Sequence, residues 1–283
     1  MTDTARVLIA GCGYVGTALG ERLVERGVEV WALRRDPSAL PAAFRKLAAD
    51  LTNPSELRAL PQALDYVVYT ASAGESSDVA YQRAYVTGLQ NLLAAIAGRG
   101  VRRVFFTSST AVYAQANGDW VDETSETRPT HFSGQRTLEA EGLLQRAHVP
   151  ATVLRCAGIY GPGRTRLIDA VRQGTAPMSD RSTNRIHKQD IAGAILHLMD
   201  RDQAPGLLIL SDDEPASQRE VATYLAECLG VPLPRSSVVE ASGRVGDKRC
   251  NNQRLKLTGY QLAYPTYREG YRAMLAGLSS STA

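Results

Sequence analysis

The sequence predicts an α/β fold in which a doubly wound parallel sheet carries helices on both faces, with a small irregular C-terminal lobe. Over the first 160 residues, short apolar runs alternate with longer amphipathic stretches, which is the pattern of βαβ units. After Tyr160 this alternation weakens, and turns and scattered prolines become frequent. We therefore expect a sheet domain formed by 1–160 and 185–212, and a lobe formed by 161–184 and 213–283.

The predicted strands are the short apolar runs, and the predicted helices are the amphipathic stretches between them. Gly27 is placed to end the first helix, which begins at Tyr14 and runs to Arg26. In chain order the predicted strands are Val7–Ala10, Val28–Leu33, Phe44–Ala48, Tyr66–Thr70, Val104–Thr107, Ala151–Cys156 and Leu207–Leu210. The remaining predicted helices are Ser55–Leu60, Ala80–Ala97, Gln135–Arg146, Thr165–Gln173, Asp190–Met199 and Ser217–Leu229, the last with Ser217 and Glu220 spaced as a capping box.

Composition excludes several classes of protein. The 283 residues are 44% hydrophobic and 22% charged, as in ordinary globular chains. A net charge of +3, from 32 basic and 29 acidic residues, is too balanced to suggest a nucleic-acid partner. The four cysteines are scattered without metal-ligand spacing, and no apolar stretch is long enough to span a membrane. We expect no disulfide scaffold and no metal, and, since the N-terminus lacks a signal-peptide pattern, a cytoplasmic location.

A glycine-rich turn separates the first predicted strand from the first predicted helix. Its G-x-G-x-x-G pattern is informative because it lies in this strand–turn–helix context. The first glycine permits a tight turn, the second lets the backbone approach a pyrophosphate, and the third lets the helix pack closely on the strand. The helix N-terminus then offers N–H groups to phosphate oxygens. The turn predicts a Rossmann-type dinucleotide site lined by Gly11, Cys12, Gly13, Tyr14, Val15 and Gly16.

The end of the second predicted strand indicates which dinucleotide binds. NAD sites usually carry an acidic residue there for the ribose 2′-hydroxyl, whereas NADP sites tend to carry arginine. Arg34 and Arg35 are placed to clamp a 2′-phosphate. Asp36 argues for NAD, but Pro37 beside it indicates a turn, where aspartate is common anyway. We therefore expect NADP, with NAD as the alternative.

Three further segments carry recognisable motifs: the first follows the fifth predicted strand, the second follows the sixth, and the third lies further along the chain. Ser-Ser-Thr-Ala-Val-Tyr occupies 108–113, Arg-Cys-Ala-Gly-Ile-Tyr-Gly-Pro-Gly-Arg occupies 155–164, and Arg-Ile-His-Lys-Gln-Asp-Ile-Ala occupies 185–192. Together with the glycine turn, they resemble the extended short-chain dehydrogenase/reductases, also called NAD-dependent epimerases/dehydratases. The resemblance runs in order over nearly the whole chain, and the four motifs make it specific for the fold.

The resemblance implies a dinucleotide-binding domain, a small substrate lobe and a catalytic Ser/Thr–Tyr–Lys set. In that set the tyrosine is the acid/base, the lysine lowers its pKa and holds the nicotinamide ribose, and the Ser/Thr hydrogen-bonds the substrate. Ser109 matches the Ser/Thr position. Asp50 and Leu51 match the adenine-contacting position. The other positions implied to lie along the cofactor are Thr70, Ala71, Ser72, Thr107, Ser108, Cys156 and Ile159.

The chain departs from the family pattern where the catalytic Tyr-x-x-x-Lys is expected. Phe132 stands at the tyrosine position and Arg136 at the lysine position. Phenylalanine has no titratable group, and arginine does not give up its proton in a protein. Arg136 is still able to hold ribose hydroxyls. Tyr85 replaces an asparagine that many members carry, and the glycine pattern is tighter than usual, so the chain resembles an atypical subgroup.

Two functions remain open. The first is an NADP-dependent oxidoreductase or epimerase/dehydratase acting on a sugar-nucleotide-like or carbonyl substrate, with Ser109 and Arg136 as catalytic residues. The second is a non-catalytic NADP(H)-binding sensor or assembly module, which explains Phe132 directly. The side chains considered as replacements for the missing acid/base are Tyr85, Tyr113, His131, Tyr160 and His187. Since the family often dimerises through the helices matching Ala80–Ala97 and Gln135–Arg146, a homodimer is expected.

Overall fold

The computed structural model describes residues 4–234 and 247–280. Its strands in chain order are β1 (Arg6–Ala10), β2 (Glu29–Arg34), β3 (Arg45–Ala48), β4 (Tyr66–Tyr69), β5 (Arg103–Ser109), β6 (Asp119–Val121), β7 (Ala151–Cys156), β8 (Gly158–Tyr160), β9 (Ser182–Thr183), β10 (Arg185–His187), β11 (Leu207–Leu210), β12 (Ala216–Ser217) and β13 (Lys248–Cys250). Its α-helices are α1 (Tyr14–Glu25), α2 (Asp78–Tyr81), α3 (Gly88–Ile96), α4 (Phe132–Arg146), α5 (Arg166–Arg172), α6 (Lys188–Met199), α7 (Gln218–Leu229), α8 (Gln253–Leu257) and α9 (Tyr267–Ser280).

Seven of these strands form the central sheet, in the order β11-β7-β5-β4-β1-β2-β3. The pairs β1–β2, β2–β3, β1–β4 and β4–β5 are all parallel. The chain therefore adds β2 and β3 on one side of β1, then returns and adds the later strands on the other side. This reversal is the topological switch point of a doubly wound sheet, and ligands of such sheets bind at the carboxyl ends of the strands there. The predicted fold class is confirmed.

The apolar runs that predicted the strands form the interior of the sheet. Val7, Leu8, Ile9 and Ala10 are at most 1% exposed. Strands buried on both faces read as continuous apolar runs rather than as alternating ones, because helices cover each face. Burying a valine, leucine or isoleucine side chain contributes about 1.5–3 kcal/mol relative to leaving it in water. The first strand thus holds the glycine turn on a rigid base.

Contacts divide the chain into two compact units. The first comprises Met1–Val112, Thr127–Arg155 and Ile191–Leu208, and the second comprises Tyr113–Glu126, Cys156–Asp190 and Ile209–Ala283. This division differs from the predicted boundaries, which kept 113–126, 156–160, 185–190 and 209–212 with the sheet domain. Segment 113–126 belongs to the second unit because its strand β6 pairs with β13. Which unit binds cofactor and which binds substrate stays a prediction.

Several helix predictions need correction. The helix predicted from Ala80 begins at Asp78, where Ser77 accepts a hydrogen bond from the amide of Ala80, and residues Gln82–Thr87 form a π-helical segment between α2 and α3. The segment predicted as a helix over Ser55–Leu60 is a 3₁₀ turn, Glu56–Ala59. Helix α4 begins at Phe132 rather than at Gln135.

The second unit is more regular than predicted. Helix α7 carries the predicted capping box, with both the Ser217 and the Glu220 hydrogen bonds formed. Helix α9 was not predicted, although Tyr267, Tyr271 and Met274 recur at helical spacing and are all at most 4% exposed. In the part of the chain that the structure describes, none of the helices combines the length and apolarity needed to cross a membrane.

Candidate functional site

The glycine turn lies between β1 and α1, and its three glycines have different surroundings. Gly11 has φ of +77°, and a Cβ there would lie 2.3 Å from the Cα of Ala71. A Cβ on Gly16 would lie 2.8 Å from both Ile9 Cγ2 and Thr70 Oγ1. A Cβ on Gly13 would meet only the carbonyl oxygen of Gly11, at 3.8 Å. Close packing therefore requires glycine at positions 11 and 16, whereas a side chain at Gly13 would enter open space.

The N-terminus of α1 is suited to an anionic group. Its N-cap residue, Gly13, provides no side-chain cap, and the first turn contains no acidic residue. The amides of Gly11 and Cys12 both donate to the carbonyl oxygen of Leu33, at 2.9 and 3.0 Å, which fixes the turn against the end of β2. Uncapped N–H groups and the helix dipole favour a phosphate there. This turn therefore fits the pyrophosphate of a dinucleotide.

The other side chains of the turn are structural. Cys12 is 1% exposed, and burial raises the pKa of its thiol to about 11, so it is not a reactive thiolate at neutral pH. Val15 is buried on α1, while Tyr14 is half-buried at the start of that helix. Any cofactor contact at Cys12 would therefore use the backbone.

The end of β2 carries the two arginines considered for a 2′-phosphate. Arg34 is half-buried at the last position of β2, and Arg35 is exposed directly after it. Asp36 accepts a hydrogen bond from the amide of Ser38 at 3.0 Å, and hydrogen bonds from Ser38 lower the pKa of its carboxyl. The carboxylate that argued for NAD is thus engaged within its own turn, as the neighbouring proline indicates.

The neighbouring strand ends supply the other predicted cofactor positions of the first unit. Thr70 donates to the carbonyl oxygen of Gly11 at 3.0 Å, which ties the segment after β4 to the glycine turn. Ala71 packs against Gly11, and Ser72 is exposed. Thr107 donates to the carbonyl oxygen of Tyr69 at 2.9 Å. These contacts bring the segments after β1 and β4 together.

Asp50 and Leu51 follow β3. The Asp50 carboxylate accepts hydrogen bonds from the amide and hydroxyl of Thr52, and these bonds help to lower the pKa of the carboxyl. The carbonyl oxygen of Leu51 accepts a hydrogen bond from Asn91 at 3.0 Å. The loop is therefore held in place by its own side chains and by α3.

Ser108 and Ser109, at the end of β5, have different surroundings. Ser108 is buried, and its hydroxyl donates to Glu141 on α4. Glu141 also receives two hydrogen bonds from Arg155 on β7, at 3.1 and 2.7 Å. Ser109 is half-buried, and its Oγ accepts a hydrogen bond from the amide of Ala111 at 3.1 Å. Its hydroxyl proton therefore remains available to donate, whereas that of Ser108 is used internally.

The N-terminus of α4 carries the departures from the family pattern. Phe132 packs edge-on against Tyr81, with ring centroids 5.4 Å apart. Arg136 donates to both carboxylate oxygens of Asp78, at 2.7 and 2.9 Å, and to Glu139 at 2.9 Å. Its guanidinium is therefore held by carboxylates of α2 and α4. The predicted role of Arg136 at a ribose stays a prediction, and it requires Arg136 to leave these partners.

Two of the candidate replacements for the missing acid/base, His131 and Tyr85, lie in the first unit. His131 is the N-cap of α4, where its Nδ1 accepts from the amide of Ser133 at 3.2 Å. Tyr85 lies in the π-helical segment and stacks on Tyr81, with ring centroids 5.3 Å apart. His131 thus has a capping role that the sequence pattern did not indicate, since capping by histidine is uncommon.

The remaining predicted residues belong to the second unit. Cys156 ends β7 with 4% exposure, and burial raises its pKa to about 12; Ile159 lies in β8. The hydroxyl of Tyr113 donates to the carbonyl oxygen of Asp122 at 2.8 Å. Nδ1 of His187 accepts from the amide of Gln189 at 3.3 Å. Nδ1 of His187 is therefore occupied locally, at the start of α6.

Comparison with known proteins gives a consistent result. The family model for the NAD-dependent epimerase/dehydratase family matches residues 7–207. The chain belongs to the NAD-dependent epimerase/dehydratase family. It is 31% identical over 281 residues to Protein YeeZ of Escherichia coli K12, covering 92% of this chain and 96% of the relative. The resemblance inferred from the motifs is thus confirmed.

Solved structures of this epimerase/dehydratase family agree with the fold. A structure from Methylobacillus flagellatus of the NAD-dependent epimerase/dehydratase type is 38% identical, covers 98% of this chain and all of its own, and superposes with a TM-score of 0.84. MoeE5 in complex with UDP-glucose and NAD is 25% identical, covers 99% of this chain and 100% of its own, and gives a TM-score of 0.81. Other relatives are named as reductases and dehydrogenases.

Sequence reasoning missed the polar groups that are brought together only by folding. The buried Ser108–Glu141–Arg155 network joins β5, α4 and β7, and the Asp78–Arg136 ion pair joins α2 and α4. The buried face of α4 also carries Ser133 and Thr137, so its pattern gave no sequence signal for Glu141. Within residues 4–234 and 247–280, no group of three or more His, Cys, Asp or Glu side chains is arranged to hold a metal ion.

Proposed function

We propose that the protein is an NADP(H)-dependent oxidoreductase or epimerase acting on a sugar-nucleotide-like or carbonyl substrate. The observation that carries the proposal is the open turn at Gly13, which lies at the switch point of the sheet and before an uncapped helix N-terminus. Relatives named as reductases and dehydrogenases, and MoeE5 with bound UDP-glucose and NAD, support the reaction type and the substrate class.

In this proposal several predicted residues of the first unit have specific tasks. The N–H groups of α1 bind the pyrophosphate, and Arg34 and Arg35 bind the 2′-phosphate. Asp50 and Leu51 contact the adenine, and the segment from Thr70 to Ser72 follows the dinucleotide. When bound, the nicotinamide supplies hydride transfer. Ser109 donates its hydroxyl proton toward the substrate oxygen, where charge develops.

Replacing Arg34 by serine is expected to weaken NADPH binding by about 10–100-fold and to leave NADH binding nearly unchanged. A charge-assisted contact to phosphate contributes about 1.5–3 kcal/mol, and only NADPH carries the 2′-phosphate. Nicotinamide fluorescence titration measures both dissociation constants. The matched control is Arg45→Ser, which removes an exposed arginine from β3. Equal losses for both cofactors would contradict the 2′-phosphate assignment, and binding of neither cofactor by the wild type would refute the proposed function.

Replacing Ser109 by alanine is expected to lower turnover of a substrate by about 10²-fold while NADPH affinity stays within twofold. A hydrogen-bond donor at a developing oxyanion contributes roughly 10²–10³ in kcat. Steady-state NADPH oxidation across a panel of carbonyl compounds and sugar nucleotides provides the measurement. Thr110→Ala, which changes the neighbouring hydroxyl, is the control. An unchanged kcat in Ser109→Ala would remove Ser109 from the reaction.

A binding-only module is the second candidate, because Phe132 has no titratable group and Arg136 is engaged with Asp78. Loss of a general acid/base typically costs 10²–10⁴-fold in rate. The double variant Phe132→Tyr/Arg136→Lys separates the two candidates. A gain of activity toward a sugar nucleotide favours the enzyme with an altered acid/base, whereas tight NADPH binding without any turnover in either form favours the sensor.

A further inference from the structure

The second unit contains a buried group of polar side chains on one face of a two-stranded sheet. Strands β8 and β10 pair in parallel, with His187 opposite Tyr160 and Arg185 opposite Gly158. Residues two apart on a strand point to the same face, so Arg185 and His187 share one face. The rings of Tyr160 and His187 meet edge to face, with centroids 5.2 Å apart. Three polar side chains therefore stand together on this face.

Helix α9 and the segment before it cover this face. Tyr267 and Tyr271 are four residues apart and lie on one side of α9. The Arg185 guanidinium carbon lies 5.8 Å from the centre of the Tyr267 ring. The ring centroids of Tyr160 and Tyr271 are 4.8 Å apart. The polar side chains are thus enclosed between the small sheet and α9.

Ser211 and Asp212 close the edge of this enclosure. The amide of Asp212 donates to the carbonyl oxygen of Arg185 at 2.7 Å, which continues the edge of β10. Ser211 and Asp212 are each 1% exposed, and Arg185 is 8% exposed. These side chains are therefore buried inside the second unit.

Six polar atoms of this enclosure have no hydrogen-bond partner within the chain. They are Tyr160 Oη, Arg185 Nη1, His187 Nε2, Ser211 Oγ, Asp212 Oδ2 and Tyr267 Oη. Buried polar atoms are nearly always hydrogen-bonded, and leaving one unpaired costs about 1–3 kcal/mol. The presence of six such atoms in one group indicates that a bound polar species supplies their missing hydrogen bonds.

Hydrogen-bond donors outnumber acceptors in this group. Nδ1 of His187 is occupied as an acceptor by the Gln189 amide, and burial lowers the pKa of the ring to about 4, so the neutral ring carries its proton on Nε2. The Arg185 guanidinium always carries its charge. The hydroxyls of Tyr160, Tyr267 and Ser211 can each donate. Asp212 alone offers a carboxylate, and burial raises its pKa to about 8.

The neighbouring carboxylates are engaged elsewhere. Asp190 accepts hydrogen bonds from the Tyr260 hydroxyl and from the amides of Ala263 and Tyr264, at 2.6–3.1 Å. Glu214 pairs with Arg268 at 3.0 Å. Asp213 accepts from Asn252 at 2.7 Å and pairs with Lys256. Asp212 is the remaining carboxylate near Arg185, and the two side chains attract each other. Arg185 Nη1 and Asp212 Oδ2 nevertheless both lack a hydrogen-bond partner among the described residues, and a buried charge is costly unless it is paired and hydrogen-bonded.

We propose that this enclosure is a binding site for a compact anion, held by Arg185, His187 Nε2, Tyr160, Tyr267 and Ser211. We take the occupant to be a monatomic halide or a carboxylate of the size of formate, because the residues that would hold it are all at most 8% exposed. The site lies within the second unit and does not depend on cofactor binding, so it stands or falls separately from the proposed function.

The direct test is a crystal structure of the wild-type protein in sodium bromide, read by anomalous scattering of bromide. The expected result is an anomalous peak within about 3.5 Å of Arg185 Nη1 and His187 Nε2, since bromide hydrogen bonds are slightly longer than those to oxygen. A second crystal, in sodium bromide with an excess of sodium formate, separates the two sources: replacement of the bromide peak by planar density identifies a carboxylate site, and retention of the bromide peak identifies a halide site. Water alone between these atoms in both crystals would overturn the proposal.

Thermal unfolding gives an independent readout in solution. Replacing sodium gluconate by sodium bromide or formate at constant ionic strength is expected to raise the unfolding midpoint by about 2–4 °C, when the anion is near tenfold above its Kd. Arg185→Gln is expected to lose this shift. The control Arg172→Gln removes an exposed arginine of the same unit, paired with Asp169, and is expected to keep it. If Arg185→Gln does not fold, the bromide structure of the wild type still decides, and an equal shift in all three proteins would contradict the site.

Discussion

Replacing Glu141 by alanine is expected to lower the free energy of unfolding by about 3–5 kcal/mol, because it leaves a buried arginine without its partner. Glu141 is 2% exposed and Arg155 is 6% exposed. Two hydrogen bonds join them, at 3.1 and 2.7 Å, and Ser108 donates to the same carboxylate. Urea unfolding followed by circular dichroism measures the loss as a shift in midpoint at constant slope.

A neighbouring glutamate on the same helix provides the control for this variant. Glu139 is paired with Arg136 at 2.9 Å, but its side chain is 42% exposed. Exposed ion pairs contribute about 0–1 kcal/mol, so Glu139→Ala should change stability little. The double variant Glu141→Leu/Arg155→Met should recover much of the loss, since no unpaired charge remains. Similar losses in Glu139→Ala and Glu141→Ala would show that burial of this pair does not determine its contribution.

The second large effect is expected at Gly13. Gly13→Ala should weaken NADPH binding by at least about 100-fold, or roughly 2.7 kcal/mol, while the free energy of unfolding stays within about 0.5 kcal/mol. A Cβ at this position meets only the Gly11 carbonyl oxygen, at 3.8 Å, so the folded chain has room for it. In the proposed complex the same space is taken by the pyrophosphate, which a methyl group would push away from the N–H groups of α1.

Affinity and stability must be measured on the same preparation of Gly13→Ala, by fluorescence titration and by urea unfolding. The matched control is Gly277→Ala, because a Cβ at Gly277 meets nothing within 4 Å and lies in α9. That control should bind NADPH like the wild type. Unchanged NADPH affinity in Gly13→Ala would refute the assignment of the turn to the pyrophosphate, even if the protein binds the cofactor elsewhere.

Features that depend on neighbouring residues were predictable from the sequence. The strand β11 has the predicted bounds, and β7 does as well, because both are apolar runs between polar turns. The capping box of Ser217 and Glu220 was predicted because its two partners are three residues apart. The glycine turn was predicted for the same reason, since its sequence and its flanking elements are contiguous.

Features that depend on distant residues were not predictable. Strands β6 and β13 are three residues each and exist because they pair across more than 120 positions, as Lys248 does with Asp119. The partners of Glu141 come from two other strands, and those of Arg136 include Asp78, 58 positions away. Periodicity and motif spacing carry no information about such pairs. The catalytic and cofactor roles of Ser109, Arg136, Arg34 and Arg35 stay predictions.

The π-helical segment Gln82–Thr87 determines the direction in which Asp78 points, because it sets the rotation of α2 about the helix axis relative to α3. A π-helical turn holds one more residue than an α-helical turn, and each residue advances a helix by about 100°. Deleting one residue from the segment would let the helix continue as a regular α-helix, but everything before the deletion would rotate by that angle relative to α3. Asp78 would then point away from Arg136, and Tyr81 away from Phe132. A chain one residue shorter here would separate the Arg136 guanidinium from Asp78 and leave it bonded to Glu139 of its own helix.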